Sequence, residues 1–425
     1  MDSEQTIAAA KLAGTGERRS EAWRGVVLLL GVATVGYIGR VGLTVVAPQM
    51  MAEFHWSQAQ MGEAFSAFLA TYTLMQAPSG WIADRWPARP LFAGLVLAWA
   101  ILVGATVAVG WWGGAAGALV ALLGLRALFG IAAAPTYPLS ARCVADWLPP
   151  ELQGRGNGVA MASIGLGSAL APPFVGEVAT HWGWRAALVA IAAVMLPMAA
   201  LWWRWAPRRA SRKREKPRVA ANWRQWNARG GFGFLCASYF LQSYLGYIFV
   251  FWFYLYLVQV RHFALMRAAW ITTLPWLSSL AAIPLGGALS DMAVRHWGAR
   301  WGRRITPIAA MAGASFCLWI GARTNSGAVA AGALTAATAL VIGTEASYWA
   351  TMSQIAGPQS GLAGGMMNFG GNLGGMISPV LTPWLASFIG WPVALSLTAG
   401  LGLCGAALWL GVDASAAAAP AAPGI

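Results

Sequence analysis

GWIADRWPAR (Gly80–Arg89) and GGALSDMAVRHWGARWGRR (Gly286–Arg304) carry the same phrase: a glycine, an aspartate four residues on, then a basic turn. At an offset of 207 residues, Gly80 falls on Gly287 and Asp84 on Asp291. The same register pairs Gly158 with Gly365, Gly167 with Gly374 and Pro172 with Pro379. It also pairs Gly183 with Gly390 and Trp184 with Trp391. With 51 glycines in the chain, one glycine match means little. Asp, Pro and Trp matches in one gapless register mean that one half repeats the other.

Between these marks the chain is too apolar for water. Hydrophobic residues make up 58% and charged residues 10%, against about 25% charged in a soluble domain. The mean hydropathy is +0.58. Apolar spans fall near 26–48, 62–82, 90–109, 114–138, 156–179, 185–205, 231–257, 268–290, 305–323, 327–354, 361–385 and 391–411. Each is long enough to cross a bilayer as a helix. The expected fold is an all-α membrane protein of about twelve transmembrane helices, in two six-helix pseudo-symmetric halves. The expected parts are a tail (1–25), a first bundle (26–205), a basic linker (206–230), a second bundle (231–411) and a disordered tail (412–425).

The net charge of +14 would suit a nucleic-acid binder were it not for where the charges lie. Four Lys and Arg residues precede the first span, and two, two, ten and four occupy alternate loops after it. The opposite side holds three: Arg261, Arg267 and Arg323. That asymmetry predicts both termini in the cytoplasm. The basicity is thus a topology signal, and no nucleic-acid partner is expected. The 25 Arg against 3 Lys fit a GC-rich bacterial genome, hence a bacterial cytoplasmic membrane. Trp111, Trp112, Trp202 and Trp203 stand near span ends, where tryptophan anchors at the interface. The four cysteines lack metal-type spacing, and all four histidines lie outside the spans. No enzyme, metal or cofactor is expected.

The Gly80–Arg89 phrase and its repeat resemble the loop signature of the major facilitator superfamily. Further stretches resemble that superfamily's anion:cation symporter branch, which includes sugar-acid, phthalate and vesicular glutamate carriers. They are GEAFSAFLATYTLMQAPSGWIADR (Gly62–Arg85), RALFGIAAAPTYP (Arg126–Pro138), GLGSALAPP (Gly165–Pro173), WFYLYL (Trp252–Leu257) and NFGGNLGGMISP (Asn368–Pro379). The resemblance implies a substrate path between the halves. It gives Gly80, Asp84, Arg85, Arg89 and Asp291 to the inward/outward switch. Arg40 (in GYIGR) and Arg126 would serve anion binding or gating. Proton-coupled members of the branch carry Asp just before the first-helix Arg and Glu seven residues after the fourth-helix Arg. Here those positions are Gly39 and Ala133.

Arg40, Arg126 and Glu345 are the ionisable residues well inside spans, and each needs a partner or a wet cavity there. A guanidinium can hold a carboxylate through two parallel hydrogen bonds. Alternatively the arginines lock helices together by pairing with Glu345. Tyr72 and Gln76 share a face of the second helix, Tyr244 and Tyr247 of the seventh, Asn368 and Asn372 of the eleventh. They could wall a ligand site or bond between helices. Glu345 is the coupling candidate, with a proton or a counter-anion as partner. The expected function is secondary transport of small organic anions by a monomer embedded in the lipid bilayer. An exporter of amphipathic compounds and a transport-like ligand sensor are the alternatives.

Overall fold

Ser57 starts the second crossing with a capping box: its hydroxyl accepts from the Gln60 N–H, and the Gln60 side chain accepts from the Ser57 N–H. The computed structural model describes residues 2–111, 113–148, 150–207, 223–356 and 360–415. The first half comprises α1 (Asp2–Phe54), α2 (Gln58–Leu74), α3 (Gln76–Arg85), α4 (Ala88–Ala105), α5 (Gly114–Ala133), α6 (Thr136–Trp147), α7 (Pro150–Met161) and α8 (Ser163–Trp205). The second comprises α9 (Trp223–Gly230), α10 (Phe232–Phe251), α11 (Phe253–Leu255), α12 (Leu265–Arg323), α13 (Gly327–Gly343), α14 (Glu345–Ala356), α15 (Ser360–Ile389) and α16 (Trp391–Leu408).

Eight stretches among the described residues are long and apolar enough to cross a membrane. Two of them hold two crossings each, because α8 and α12 turn sharply at Gly183 (φ 80°, ψ 170°) and Gly298 (φ 73°, ψ 170°). Only glycine adopts that backbone without strain. The pair α2–α3, interrupted at Met75, and the glycine-rich α15 supply the remaining two of twelve.

The repeat seen in the sequence is a repeat of contacts. A Cβ on Gly167 would overlap Tyr37 of α1, and one on its equivalent Gly374 would overlap the Phe240 carbonyl of α10. Both glycines let the fifth or eleventh crossing pack tightly on the first or seventh. Ser66 donates to the Met376 carbonyl at 2.6 Å, and Thr273 donates to the Ala169 carbonyl at 3.0 Å. Donors and acceptors in that pair of bonds are both related by 207 residues. The two interfaces, α2 on α15 and α12 on α8, are copies of each other.

Hydrogen bonds join the halves at one end of the bundle and at its mid-depth. Near the end holding Ser57, Gln58 donates to Gln259 at 2.8 Å and accepts from the Trp391 indole at 3.1 Å. Ser66 and Thr273 follow, and Arg40 bonded to Tyr247 at 2.9 Å is the deepest. Toward the end holding the termini, several arginine bonds run within a half. Arg303 binds Asp291, Arg89 binds the Trp203 carbonyl, and Arg142 binds the Trp86 carbonyl. The bundle is sealed at the Ser57 end.

Three expectations meet a different local structure. Trp223–Gly230, within the expected linker, is a helix whose buried Trp226 packs on Phe232 at 5.4 Å. Val412 and Asp413, placed by sequence in a disordered tail, are tied down. Arg304 donates to the Val412 carbonyl at 2.6 Å, and Asp413 pairs with Arg300 at 3.3 Å. Partial burial opposes ionisation of Asp413, but hydrogen bonds from Ser415 and the nearby Arg300 and Arg304 hold its carboxyl below the ordinary range. Trp202 is no interface anchor, because its helix turns it inward onto Phe92 and the Arg89 carbonyl. Residues 208–222 of the expected linker, 416–425 of the expected tail, and Trp112 lie outside the described residues.

Candidate anion site

Arg40 stands on α1 one turn beyond Tyr37, so both side chains leave the same helix face. It is buried, with Nη1 donating to the Tyr37 hydroxyl at 3.2 Å and Nη2 to the Tyr247 hydroxyl at 2.9 Å. Aromatic rings surround the guanidinium carbon: Phe68 at 4.9 Å, Tyr37 at 5.2 Å, Tyr72 at 5.4 Å and Tyr247 at 5.5 Å to the centroids. Such rings offer a cation their electron-rich faces. Arg126, from α5, lies 5.1 Å from the same Phe68 ring and donates to the Arg40 carbonyl at a long 3.3 Å. The Nε of each arginine is buried without a partner. Among the described residues neither guanidinium pairs with a carboxylate; the ion pairs lie elsewhere.

Arg40 and Tyr247 occupy equivalent positions, 207 residues apart. Two points related by a two-fold axis can touch only beside that axis. The contact therefore puts Arg40 at the centre of the molecule, between the halves. Tyr247 also donates to the Asn372 side-chain amide oxygen at 3.2 Å, and the Asn372 side chain donates to the Asn368 backbone carbonyl at 3.0 Å. Gln76 opens α3 four residues beyond Tyr72, across the break at Met75. The structure thus gathers Arg40, Arg126, Tyr72, Tyr247 and Asn372, with Gln76 behind Tyr72 and Asn368 behind Asn372. Tyr244 does not join them: it is buried, and its hydroxyl bonds to Thr382 of α15 at 2.8 Å.

The expected pairing of Glu345 with the arginines is replaced by neutral donors from its own half. Glu345 accepts from the Tyr239 hydroxyl at 3.1 Å, the Gln242 amide at 3.2 Å and the Trp349 indole at 3.2 Å. The cause is local: the helix breaks at Thr344, and Glu345 opens α14 facing α10. At Gly39 a side chain would run into Met195, 2.5 Å from the ideal Cβ, and Phe129. Ala133 lines a small cavity with Tyr37, Arg40, Tyr72 and Tyr137.

The proposed switch residues sit at the terminal end. Asp291 accepts from Arg303 at 2.7 Å, and Arg303 reaches on to Ser290 and Gln354. Arg89 binds the Trp203 carbonyl, and Arg85 is exposed at the end of α3. Gly80 and Asp84 lie in α3, but their surroundings fall outside the described residues. Sequence reasoning missed Tyr37, Phe68, Tyr137 and the Tyr239–Gln242–Trp349 cradle. Spacing could have found Tyr37, three residues before Arg40; nothing local marks Phe68.

A sequence model of the Major Facilitator Superfamily matches residues 29–359. The chain is 30% identical to a probable sulfoacetate transporter of Cupriavidus necator, covering 84% of this chain and 86% of the relative. It is 27% identical to a D-galactonate transporter of Escherichia coli, over 89% of this chain and 93% of the relative. A hexuronate transporter of Bacillus subtilis is also 27% identical, over 88% and 90%. Among solved structures, a bacterial homolog of the human lysosomal transporter Spinster, inward-facing and unoccupied, superposes with a TM-score of 0.76. That match covers 92% of this chain and 96% of the other at 18% identity, a likeness of fold. The duplicated twelve-helix bundle and the match along most of its length have one meaning: the chain belongs to the Major Facilitator Superfamily.

Proposed function

We propose that this protein is a secondary active transporter of small organic anions, carried by alternating access between residues 26–205 and 231–411. One observation carries the reading: two arginines are buried together beside the axis, and among the described residues no carboxylate pairs with either. A lone charge at mid-membrane costs roughly 3 kcal/mol on insertion scales. A carboxylate or sulfonate entering between the halves supplies the missing charge and the acceptor that both Nε groups lack. Tyr72, Tyr247 and Asn372 are placed to bond hydroxyl or carboxyl oxygens of the same ligand. The relatives named for sulfoacetate, galactonate and hexuronate are carriers of acids of this size. Gly80, Asp84, Arg85, Arg89 and Asp291 serve the conformational switch, and the monomer suffices.

The purified protein in liposomes preloaded with sulfoacetate or D-galactonate is expected to take up the same labelled anion by counterflow. Uptake no faster than in protein-free liposomes for both, and for a hexuronate, would refute the reading. The orientation follows from the basic loops: a bacterial cytoplasmic membrane with both termini inside, and the sealed Ser57 end outside. Cysteines introduced at Ser57 and Ser211 should label from opposite sides of intact cells. Labelling of Ser211 from outside would invert the topology.

A further inference from the structure

Among the described residues Glu345 is the acid nearest the middle of a span, and the anion site leaves it unused. The donors it bonds are neutral: Tyr239, Gln242 and Trp349. α13 and α15 carry no titratable side chain. α10 brings Tyr239, with Cys236, Tyr244 and Tyr247 farther along. α14 adds Tyr348, whose hydroxyl is taken up by Ser238 at 2.6 Å. α12 brings Arg303 and Asp291, bound to each other, with Arg303 also bonding Gln354 of α14. α9 brings Arg224.

We infer that Glu345 is the proton-binding site that couples anion transport to a pH gradient. This rests on the anion-transport reading above. The cradle suits a proton. Indole N–H and amide N–H groups donate to the carboxylate and cannot ligate a metal ion, which requires oxygens or ring nitrogens. The Tyr239 hydroxyl can reverse its role, donating to the carboxylate and accepting from the carboxylic acid. Both protonation states are therefore satisfied without rearranging a helix. Water on the open side gives a proton to one carboxylate oxygen, and the same O–H bond breaks when the site faces the other side.

Charge balance supplies the coupling. With the anion site empty, ionised Glu345 offsets part of the charge of Arg40 and Arg126 in the closed interior. With an anion bound, less positive charge remains for Glu345 to offset, so its ionised form loses electrostatic support and taking up a proton is favoured. Anion and proton thus travel together. The groups are linked through α10: Gln242 bonds Glu345 and Ser243, and Tyr247, one turn beyond Ser243, bonds Arg40.

The test uses liposomes with an acidic exterior, internal pyranine to read proton entry, and labelled sulfoacetate and D-galactonate. The wild type should accumulate one of the anions with acidification inside. Glu345→Gln, which keeps the shape and one acceptor oxygen, should lose accumulation and proton entry but retain counterflow within about threefold. Proton-driven accumulation that survives Glu345→Gln, or wild-type counterflow without pH-driven accumulation, overturns the inference. If neither anion moves in any mode, the transport reading fails and the proton site is still read directly. Infrared difference spectra on acidifying the wild type should show a carboxylic-acid carbonyl band that Glu345→Gln lacks and Tyr239→Phe displaces in pH. Identical bands in all three proteins would show that Glu345 takes up no proton.

Discussion

Arg126→Ala is expected to abolish binding of the transported anion, with a loss of at least roughly 30-fold and a leak-level rate of counterflow. The side chain makes a single long hydrogen bond, to the Arg40 carbonyl, and its Nε has no partner. Most of its donors are thus unspent in the empty protein and available to a ligand. Removing one member of a desolvated charge pair costs roughly 2–5 kcal/mol, which sets the size of the loss. Arg126→Lys should recover only part of it, because an ammonium lacks the planar fork. Isothermal titration with the anion that passes the counterflow assay measures both variants. Unchanged affinity in Arg126→Ala would make Arg126 a helix-packing residue.

Gly62→Ala should produce the second large effect, on conformation and not on affinity. Gly62 of α2 lies against α15 in the sealed end, where a Cβ would overlap the Pro379 carbonyl oxygen and sit 2.9 Å from its carbon. The obstacle is backbone and cannot swing aside as a side chain would. Overpacking of this kind costs about 1–3 kcal/mol. The cost is borne only while the Ser57 end is closed, so the populations shift by about 5- to 150-fold toward the state open there. Cysteines at Gln58 and Gln259, bonded to each other at 2.8 Å in the closed end, report the shift. They should become accessible from the Ser57 side in Gly62→Ala and crosslink more slowly. Transport should slow by tenfold or more, while detergent-solubilised protein stays folded. Equal crosslinking with and without the substitution would show that the interface yields locally.

The sequence announces the parts of this molecule that depend on length and repetition. Apolar runs fix the crossings because lipid demands about twenty residues whatever the partners. The register of 207 survives because close helix crossings tolerate only glycine at Gly167 and Gly374. Side-chain direction is a different matter. Tyr244 and Tyr247 are both polar aromatics on one helix, about 60° apart around it; α15 claims the first and the axis claims the second. No local pattern says which. Trp202 stands at the end of its span like any anchor, yet the rotation of α8 buries it. Glu345 misled for a third reason. Its expected arginine partners are in the other half, while a helix break one residue earlier gives it three neutral donors at home.

A position on a two-fold axis is unlike any other in a duplicated chain, because it meets its own copy. Arg40 and Tyr247 are such a pair. Were both arginine, two cations would share one hydrogen-bonding distance in a dry interior; were both tyrosine, the pair would be tolerable but the charge would be gone. A cation at the centre can therefore belong to one half only, and the twins must differ first at the place where they touch. Sameness elsewhere lets the halves rock as mirror partners in time, each taking in turn the stance of the other. The single arginine at their shared point gives the protein its fixed polarity: one half holds the charge, and its partner contributes the ring that shields it.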